Sequence, residues 1–340
     1  MITIDGSYGE GGGQIIRTSL ALSLVTGRAF RVERVRARRD PPGLKRQHLT
    51  AVNAAAEVGR AKVEGARVGS QYFSFEPGEV APGDYRFDIG TAGSTTLVLQ
   101  TLLPPLMIAR GPSLVTLEGG THNVHAPPFD FLAKAFLPLV CRTGPRVEVE
   151  LVRYGFYPPG GGKLTVLIEP TGERRRLDIV RRGEIRRRLA RALCVKLPPS
   201  VGERELSVVR ARLGWRGEEL QVETSDNALS PGNVLALELE GEHVTELFTG
   251  VGERGVRAEA VAERAVAEVE TYLEHGAPVG EHLADQLLIP AALAGGGSFV
   301  TGELSSHTTT NIEIIKMFLD IEITTEHVSE RAWKIEVKAG

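Results

Sequence analysis

An ordered internal repeat constrains this chain more than any other feature of its sequence. Alternation in the strands and a 3.6-residue period in the helices predict a short strand at 2–4, a helix at 14–26, a strand at 30–35, a helix at 44–57, and strands near 61–63 and 72–75. The same order returns over 84–168, with a strand at 85–89, a helix at 94–108, a strand at 114–117, a helix at 128–140, and strands at 147–152 and 164–168. A third copy runs from a helix at 283–293 through a strand at 298–301, a helix at 309–318 and strands at 321–325 and 333–337. Each copy is two helices on a small sheet, which alone buries too little apolar surface to be stable. Three of them are expected to share one core.

About a hundred residues between the second and third copies do not follow the pattern. They are expected to hold a strand at 188–195, a helix at 201–213, strands at 220–223, 234–239 and 245–249, and a long amphipathic helix at 256–273. That is the content of a small α+β domain inserted in a loop, whose ends near 182 and 276 should lie close together. The expected fold class is therefore α+β. A large domain of three units, each two helices on a four-stranded sheet, comprises residues 1–182 (the first two units) and 277–340 (the third), split by an inserted domain at 183–276.

Composition narrows the function. Forty Lys and Arg against forty-three Asp and Glu leave a formal charge of −3, so any nucleic-acid contact must be local. Glycine is in excess at 39 of 340 residues and comes in bursts at 11–13, 160–162 and 295–297 without a triplet period. Collagen is excluded, and tight turns or backbone held close to a ligand are indicated. Cys141 and Cys194 offer neither a disulfide framework nor a cysteine zinc site. No leader pattern opens the chain, and the most apolar stretch, 97–109, is interrupted by Pro104 and Pro105. A cytoplasmic protein with no membrane span is expected.

In every copy the second helix follows a strand through a polar turn. These turns are Arg38-Arg39-Asp40 before Pro41-Pro42-Gly43, the stretch from His122 to His125 before Pro127-Pro128, and Ser305-Ser306-His307 before three threonines and Asn311. Free N–H groups at helix starts favour anions, so a phosphate-handling protein is one reading; hydroxyl N-caps are the other. His307, set among hydroxyls, could serve as nucleophile or acid–base group, or be a surface residue of a cap. His122 and His125 could grip a metal only if helical.

Glu10-Gly11-Gly12-Gly13-Gln14 lies between a strand and a helix, but no GxxxxGK[ST] occurs anywhere, which excludes a P-loop nucleotidase. The GxGxxG match from Gly250 to Gly255 lacks the acidic strand end that a dinucleotide site requires. Glu10 and Asp285 could bind a cation or a sugar hydroxyl, or answer a helix dipole. Nine arginines between 174 and 191 form either a phosphate-backbone patch or a solvated face, and no interleaved aromatics point to base stacking there.

Taken in order, these residues resemble the RNA 3′-terminal phosphate cyclases. The resemblance rests on Gly9 to Arg17, Pro42-Gly43-Leu44 with Arg46-Gln47-His48-Leu49, Gly90-Thr91-Ala92-Gly93-Ser94, Gly119-Gly120-Thr121 with Ala126-Pro127-Pro128, Gly155-Phe156-Tyr157-Pro158, Leu283-Ala284-Asp285-Gln286, and Ser306-His307 with Thr310-Asn311. It implies three repeats similar to the C-terminal domain of translation initiation factor 3 and a thioredoxin-like insertion. It also implies ATP-dependent conversion of an RNA 3′-phosphate to a 2′,3′-cyclic phosphate through a histidine–AMP intermediate, with His307 as the nucleophile. Arg17 and Arg39 are then assigned to phosphate binding and transition-state stabilisation. Glu10 is assigned to a divalent metal, Mg or Mn, that escorts ATP. Gln47 and Gln100 would contact phosphate or nucleotide; Pro127, Asp285 and Gln286 would shape the adenylate pocket, with Asp285 near the ribose or the histidine. Relatives commonly carry an aromatic residue where this chain has His282, which bears on the purine contact. The family also admits a homodimer. The alternative is a non-catalytic relative serving as a ribosome-assembly scaffold, a class that lacks the nucleophilic histidine.

Overall fold

In a computed structural model, which describes residues 1–339, the repeat is built as follows. The first unit runs β1 (Ile2–Asp5), α1 (Gly13–Thr26), β2 (Phe30–Glu33), α2 (Arg46–Val58), β3 (Lys62–Glu64) and β4 (Phe73–Glu76). The second runs β5 (Asp84–Asp88), α3 (Thr95–Met107), β6 (Ser113–Gly119), a composite helix, β7 (Arg146–Arg153) and β8 (Gly162–Glu169). That composite helix consists of α4 (Phe129–Phe131), a π-helical stretch (Leu132–Phe136) and α5 (Leu137–Arg142). Strand β8 alternates buried with partly exposed side chains along its whole length, as a strand with one face on the core must.

The third unit departs from the sequence-based reading in one respect. Its first strand, β9 (Leu177–Ile179), lies within the arginine-rich stretch and pairs in parallel with β14 (Gly296–Thr301), so the insertion falls between this strand and its helix. Two apolar residues among arginines carry no periodic signal; only the pairing with Gly297 to Phe299 makes them a strand. The unit is completed by α8 (Glu281–Leu293), α9 (Ser306–Phe318), β15 (Ile321–Ser329) and β16 (Ala332–Ala339). All three sheets share one strand order, first–second–fourth–third, with the first pair parallel and the others antiparallel.

The intervening segment forms β10 (Ile185–Val195), α6 (Ser200–Leu213), β11 (Leu220–Ser225), β12 (Gly232–Gly241), β13 (Thr245–Val251) and α7 (Ala258–His275). Its sheet has the order β11-β10-β12-β13. Helix α7 turns Ala262, Ala265, Val266 and Val269 inward at helical spacing, onto an apolar cluster separate from that of the repeats. The ends of the segment meet: the Arg182 guanidinium lies 5.2 Å from the Tyr272 ring centroid.

The repeats share a single large cluster. At its centre, α1 packs against α3 and α9, which explains why Gln14 to Leu24 are buried almost without interruption. Phe30 of the first unit meets Phe318 of the third edge to face at 5.8 Å. Helix α3 continues through Pro104 and Pro105, so these prolines do not interrupt it; it is a buried helix of 13 residues. Among the described residues no helix is long and apolar enough to cross a membrane.

Candidate active site

The glycine burst at the start of the chain is a consequence of close packing between units. Gly9 has a left-handed φ of 51°, and a Cβ there would collide with Thr310 Oγ1 of α9. Thr310 Oγ1 also accepts from the Glu10 amide at 3.1 Å. A Cβ on Gly13 would come within 2.5 Å of His48 Nε2 and 2.8 Å of Arg17 Nη1. The loop thus brings the start of α1 against the starts of α2 and α9, at one end of a crevice of about 780 Å³.

His307 is the second residue of α9, exposed to the crevice, and follows Ser305, which caps the helix by accepting from Thr308 N at 3.1 Å. Its Nδ1 lies 2.8 Å from Gln14 Oε1, and Gln14 Nε2 donates to Asp285 Oδ2 at 2.6 Å. An ionised carboxylate can only accept, so it directs the amide nitrogen of Gln14 toward itself and the amide oxygen toward the histidine. In the neutral ring Nδ1 is then the donor, and Nε2 keeps its lone pair. Burial pushes the Asp285 carboxyl up to about 7, against the opposing pull of His282, Arg17 and the Gln14 hydrogen bond. Asn311 Nδ2 donates to the Asp285 carbonyl at 2.8 Å and ties α8 to α9.

Arg17 lies on α1 behind these groups. Burial lowers its guanidinium to about 10, opposed by Glu10 and Asp285, which leaves it charged at neutral pH. Its Nε is buried without a hydrogen-bond partner. A buried cationic donor left unpaired is costly, and an anion in the crevice would relieve that cost. His48 stands beside it. Burial, reinforced by Arg17, Arg36 and Lys45, holds its imidazole near 3, and its Nδ1 accepts from the Lys45 amide at 3.1 Å. The neutral ring therefore carries its proton on Nε2, a second donor beside Arg17.

Arg39 donates to the Glu10 carbonyl at 2.9 Å and to Glu10 Oε2 at 3.2 Å. Among the described residues no group of three or more His, Cys, Asp or Glu is placed to hold a metal. The single carboxylate of Glu10 suits only a hard cation whose other ligands are water and ligand phosphates, which is how magnesium is commonly held.

The remaining sequence-proposed residues line the same crevice. Gln47 accepts from Ser94 N at 2.8 Å and leaves its amide nitrogen free. Gln100 Nε2 donates to Gln286 Oε1 at 2.8 Å, and the Pro127 carbonyl accepts from Thr96 Oγ1 at 2.6 Å. His282 is exposed, 3.9 Å from the Glu268 carboxylate. Asp285 reaches the histidine only through Gln14, a residue that sequence reasoning quoted in a motif without giving it a role. His48 was passed over likewise. Leu247, Thr249 and Glu268, all from the inserted segment, also line the crevice, and no local signal marks them.

Other sequence candidates resolve as structure. Residues 122–125 form a turn ahead of two prolines, so the spacing of His122 and His125 does not place them on one helix face. His122 is buried between Thr121 Oγ1 at 2.8 Å and Asp130 Oδ2 at 2.9 Å. Burial pulls the Asp130 carboxyl upward, but the His122 hydrogen bond and the charges of His122, Arg191 and Lys134 prevail and hold it near 2. The Gly250 to Gly255 run begins in the last residues of β13, which is antiparallel to β12, so no parallel dinucleotide-binding unit exists there. The arginine run is largely paired: Arg175 with Glu173, Arg186 with Glu242, Arg187 with Glu238 and Glu240, Arg188 with Glu219, and Arg191 with Asp130 and Glu223. None of those arginines lines the crevice.

Three β-α-β-α-β-β units around a shared core, with an accessible imidazole and a guanidinium whose Nε is unpaired lining one crevice, define a mixed α+β protein. The chain belongs to the RNA 3′-terminal phosphate cyclase family, whose profile matches residues 8–325. It is 52% identical over 328 residues to the RNA 3′-terminal phosphate cyclase of Koribacter versatilis, covering 96% of this chain and 92% of that protein. It is 50% identical over 339 residues to that of Ectopseudomonas mendocina, covering 100% and 98%. To that of Salmonella agona it is 46% identical over 330 residues, covering 97% and 95%.

Proposed function

We propose that this chain cyclises RNA 3′-phosphates at the expense of ATP, with His307 as the nucleophile. The observation that carries the reading is the Asp285–Gln14–His307 chain of hydrogen bonds, which turns Nε2 of an exposed imidazole away from Gln14 in the crevice that Arg17 also lines. Nε2 attacks the α-phosphorus of ATP; a P–N bond forms and the bond to pyrophosphate breaks. An oxygen of the RNA 3′-phosphate then displaces the imidazole, and the neighbouring 2′-hydroxyl closes the ring as AMP leaves. A phosphate monoester lacks a good leaving group, and the covalent step divides its activation into two tractable displacements.

The chain's own residues supply charge and position. Arg17, the His48 Nε2–H and Arg39 would hold phosphate oxygens where negative charge grows. Gln47 would donate to phosphate, while Gln100, Gln286, Pro127 and His282 would bound the nucleoside. A divalent cation carried in by the triphosphate would take one ligand from Glu10 and offset charge on the transferring group. Residues 183–276 we take as an inserted domain, a reading supported by its own sheet and apolar cluster.

The test is incubation with α-labelled ATP and a divalent metal, followed by a chase with 3′-phosphorylated RNA. An acid-labile, alkali-stable adduct that the RNA discharges is expected. Normal labelling of His307→Ala protein would overturn the assignment, and no labelling of the unaltered protein would favour the scaffold reading.

A further inference from the structure

The inserted segment meets the start of α8 through one buried carboxyl group. Glu246, on β13, is 2% exposed, and its Oε1 accepts from the backbone N–H of Gly280 at 2.5 Å. Gly280 is the residue at the N-terminal end of α8 and has no side chain with which to cap it. The free N–H groups at a helix start need an acceptor, which the carboxyl oxygen of Glu246 supplies. Glu246 therefore caps α8 from another part of the chain. The two turns that follow carry His282, Asp285 and Gln286 into the crevice, and Leu247 and Thr249, neighbours of Glu246 on β13, line it too.

We propose that Glu246 is a positioning residue: by capping α8 across the boundary between the inserted segment and the repeats, it holds His282, Asp285 and Gln286 in register to bind the nucleotide. This rests on the functional reading above and extends it to a residue outside the reacting groups. The carboxylate is met by the backbone N–H groups of Gly280 and Leu247 rather than by a cation. Burial, opposed by those two N–H groups, raises its carboxyl to about 8. A neutral acid keeps a carbonyl acceptor, so glutamine is a close mimic and leucine is not.

Three variants test the idea, with AMP affinity by calorimetry, hydrogen exchange across α8 and thermal unfolding as readouts. Glu246→Leu leaves the buried Gly280 N–H unpaired and is expected to weaken AMP binding about tenfold and to speed exchange in α8, with a modest fall in melting temperature. Glu246→Asp withdraws the acceptor by one methylene and should move both readouts the same way, less far. Glu246→Gln should restore both. If Glu246→Leu does not fold, the aspartate and glutamine pair decides. Unchanged α8 exchange and AMP affinity in Glu246→Asp and any folded Glu246→Leu, or a Glu246→Gln protein as impaired as the others, overturns the proposal. Failure of the unaltered protein to take label from ATP overturns the functional reading alone, because α8 exchange is read without turnover.

Discussion

His307 Nδ1 and Gln14 Oε1 lie 2.8 Å apart although 293 positions of chain separate them. One belongs to the first unit and the other to the third, so the orientation of the imidazole depends on how two repeats pack. Gln14→Ala is expected to slow formation of the protein–AMP adduct by about 10- to 100-fold, with little change in ATP affinity. Single-turnover labelling measures it, and wild-type labelling by this variant would remove Gln14 from the mechanism.

Asp285 sets a pH dependence. Its carboxyl is raised to about 7 by burial; ionised it can only accept and so fixes the Gln14 amide, whereas the neutral acid can also donate and leaves that amide free to flip. Adduct formation should therefore rise with pH through about 7, and Asp285→Asn should lack that limb of the profile. The same pH limb in the asparagine variant would assign the titration to another group.

Arg39 touches only Glu10 among its hydrogen-bond partners and is half exposed. Arg39→Ala should unfold at the wild-type temperature yet cyclise 3′-phosphorylated RNA at least about 100-fold more slowly. A fully active variant would exclude the role in phosphate chemistry.

Glu205 bears on stability instead. It is buried, its Oε2 accepts from Asn233 Nδ2 at 2.7 Å, and its Oε1 has no partner. Burial raises its carboxyl to about 7, against the Asn233 hydrogen bond and Arg204. A raised folded-state value means that the contribution to stability is full below the ordinary carboxyl range, near 4.5, and is lost as pH rises through 7. Glu205→Gln should accordingly match wild type at pH 4 and exceed it at pH 8 by on the order of 1–3 kcal/mol. Denaturant unfolding at the two pH values is the check, and an equal difference at both would sink the explanation.

The paired arginines between 174 and 191 lead to an expected null result. Because most already face carboxylates, replacing Arg186, Arg187 and Arg188 with glutamine should leave the salt dependence of RNA affinity unchanged. A shallower salt slope would show that RNA reaches this face.

Much of the architecture was legible because helix and strand periods are local. Alternation along residues 164–168 or the inward spacing of Ala262, Ala265 and Val269 follows from which side of an element meets the core, and that is written in the side chains themselves. Thrice-repeated order and an unpatterned insertion were visible for the same reason, as was the polar turn that carries His307.

What tertiary structure alone decided is which distant groups meet. Leu177 to Ile179 became a strand because β14 offers it a parallel edge. Asp285 acquired a route to His307 through Gln14, and Glu246 came to cap α8. The arginine run lost its appearance of a free basic patch to carboxylates as far away as Asp130 and Glu242. Side-chain pattern determines which face of an element is buried; the partner across that face is chosen by the packing of three units and an insertion into one structure, and no local period encodes it.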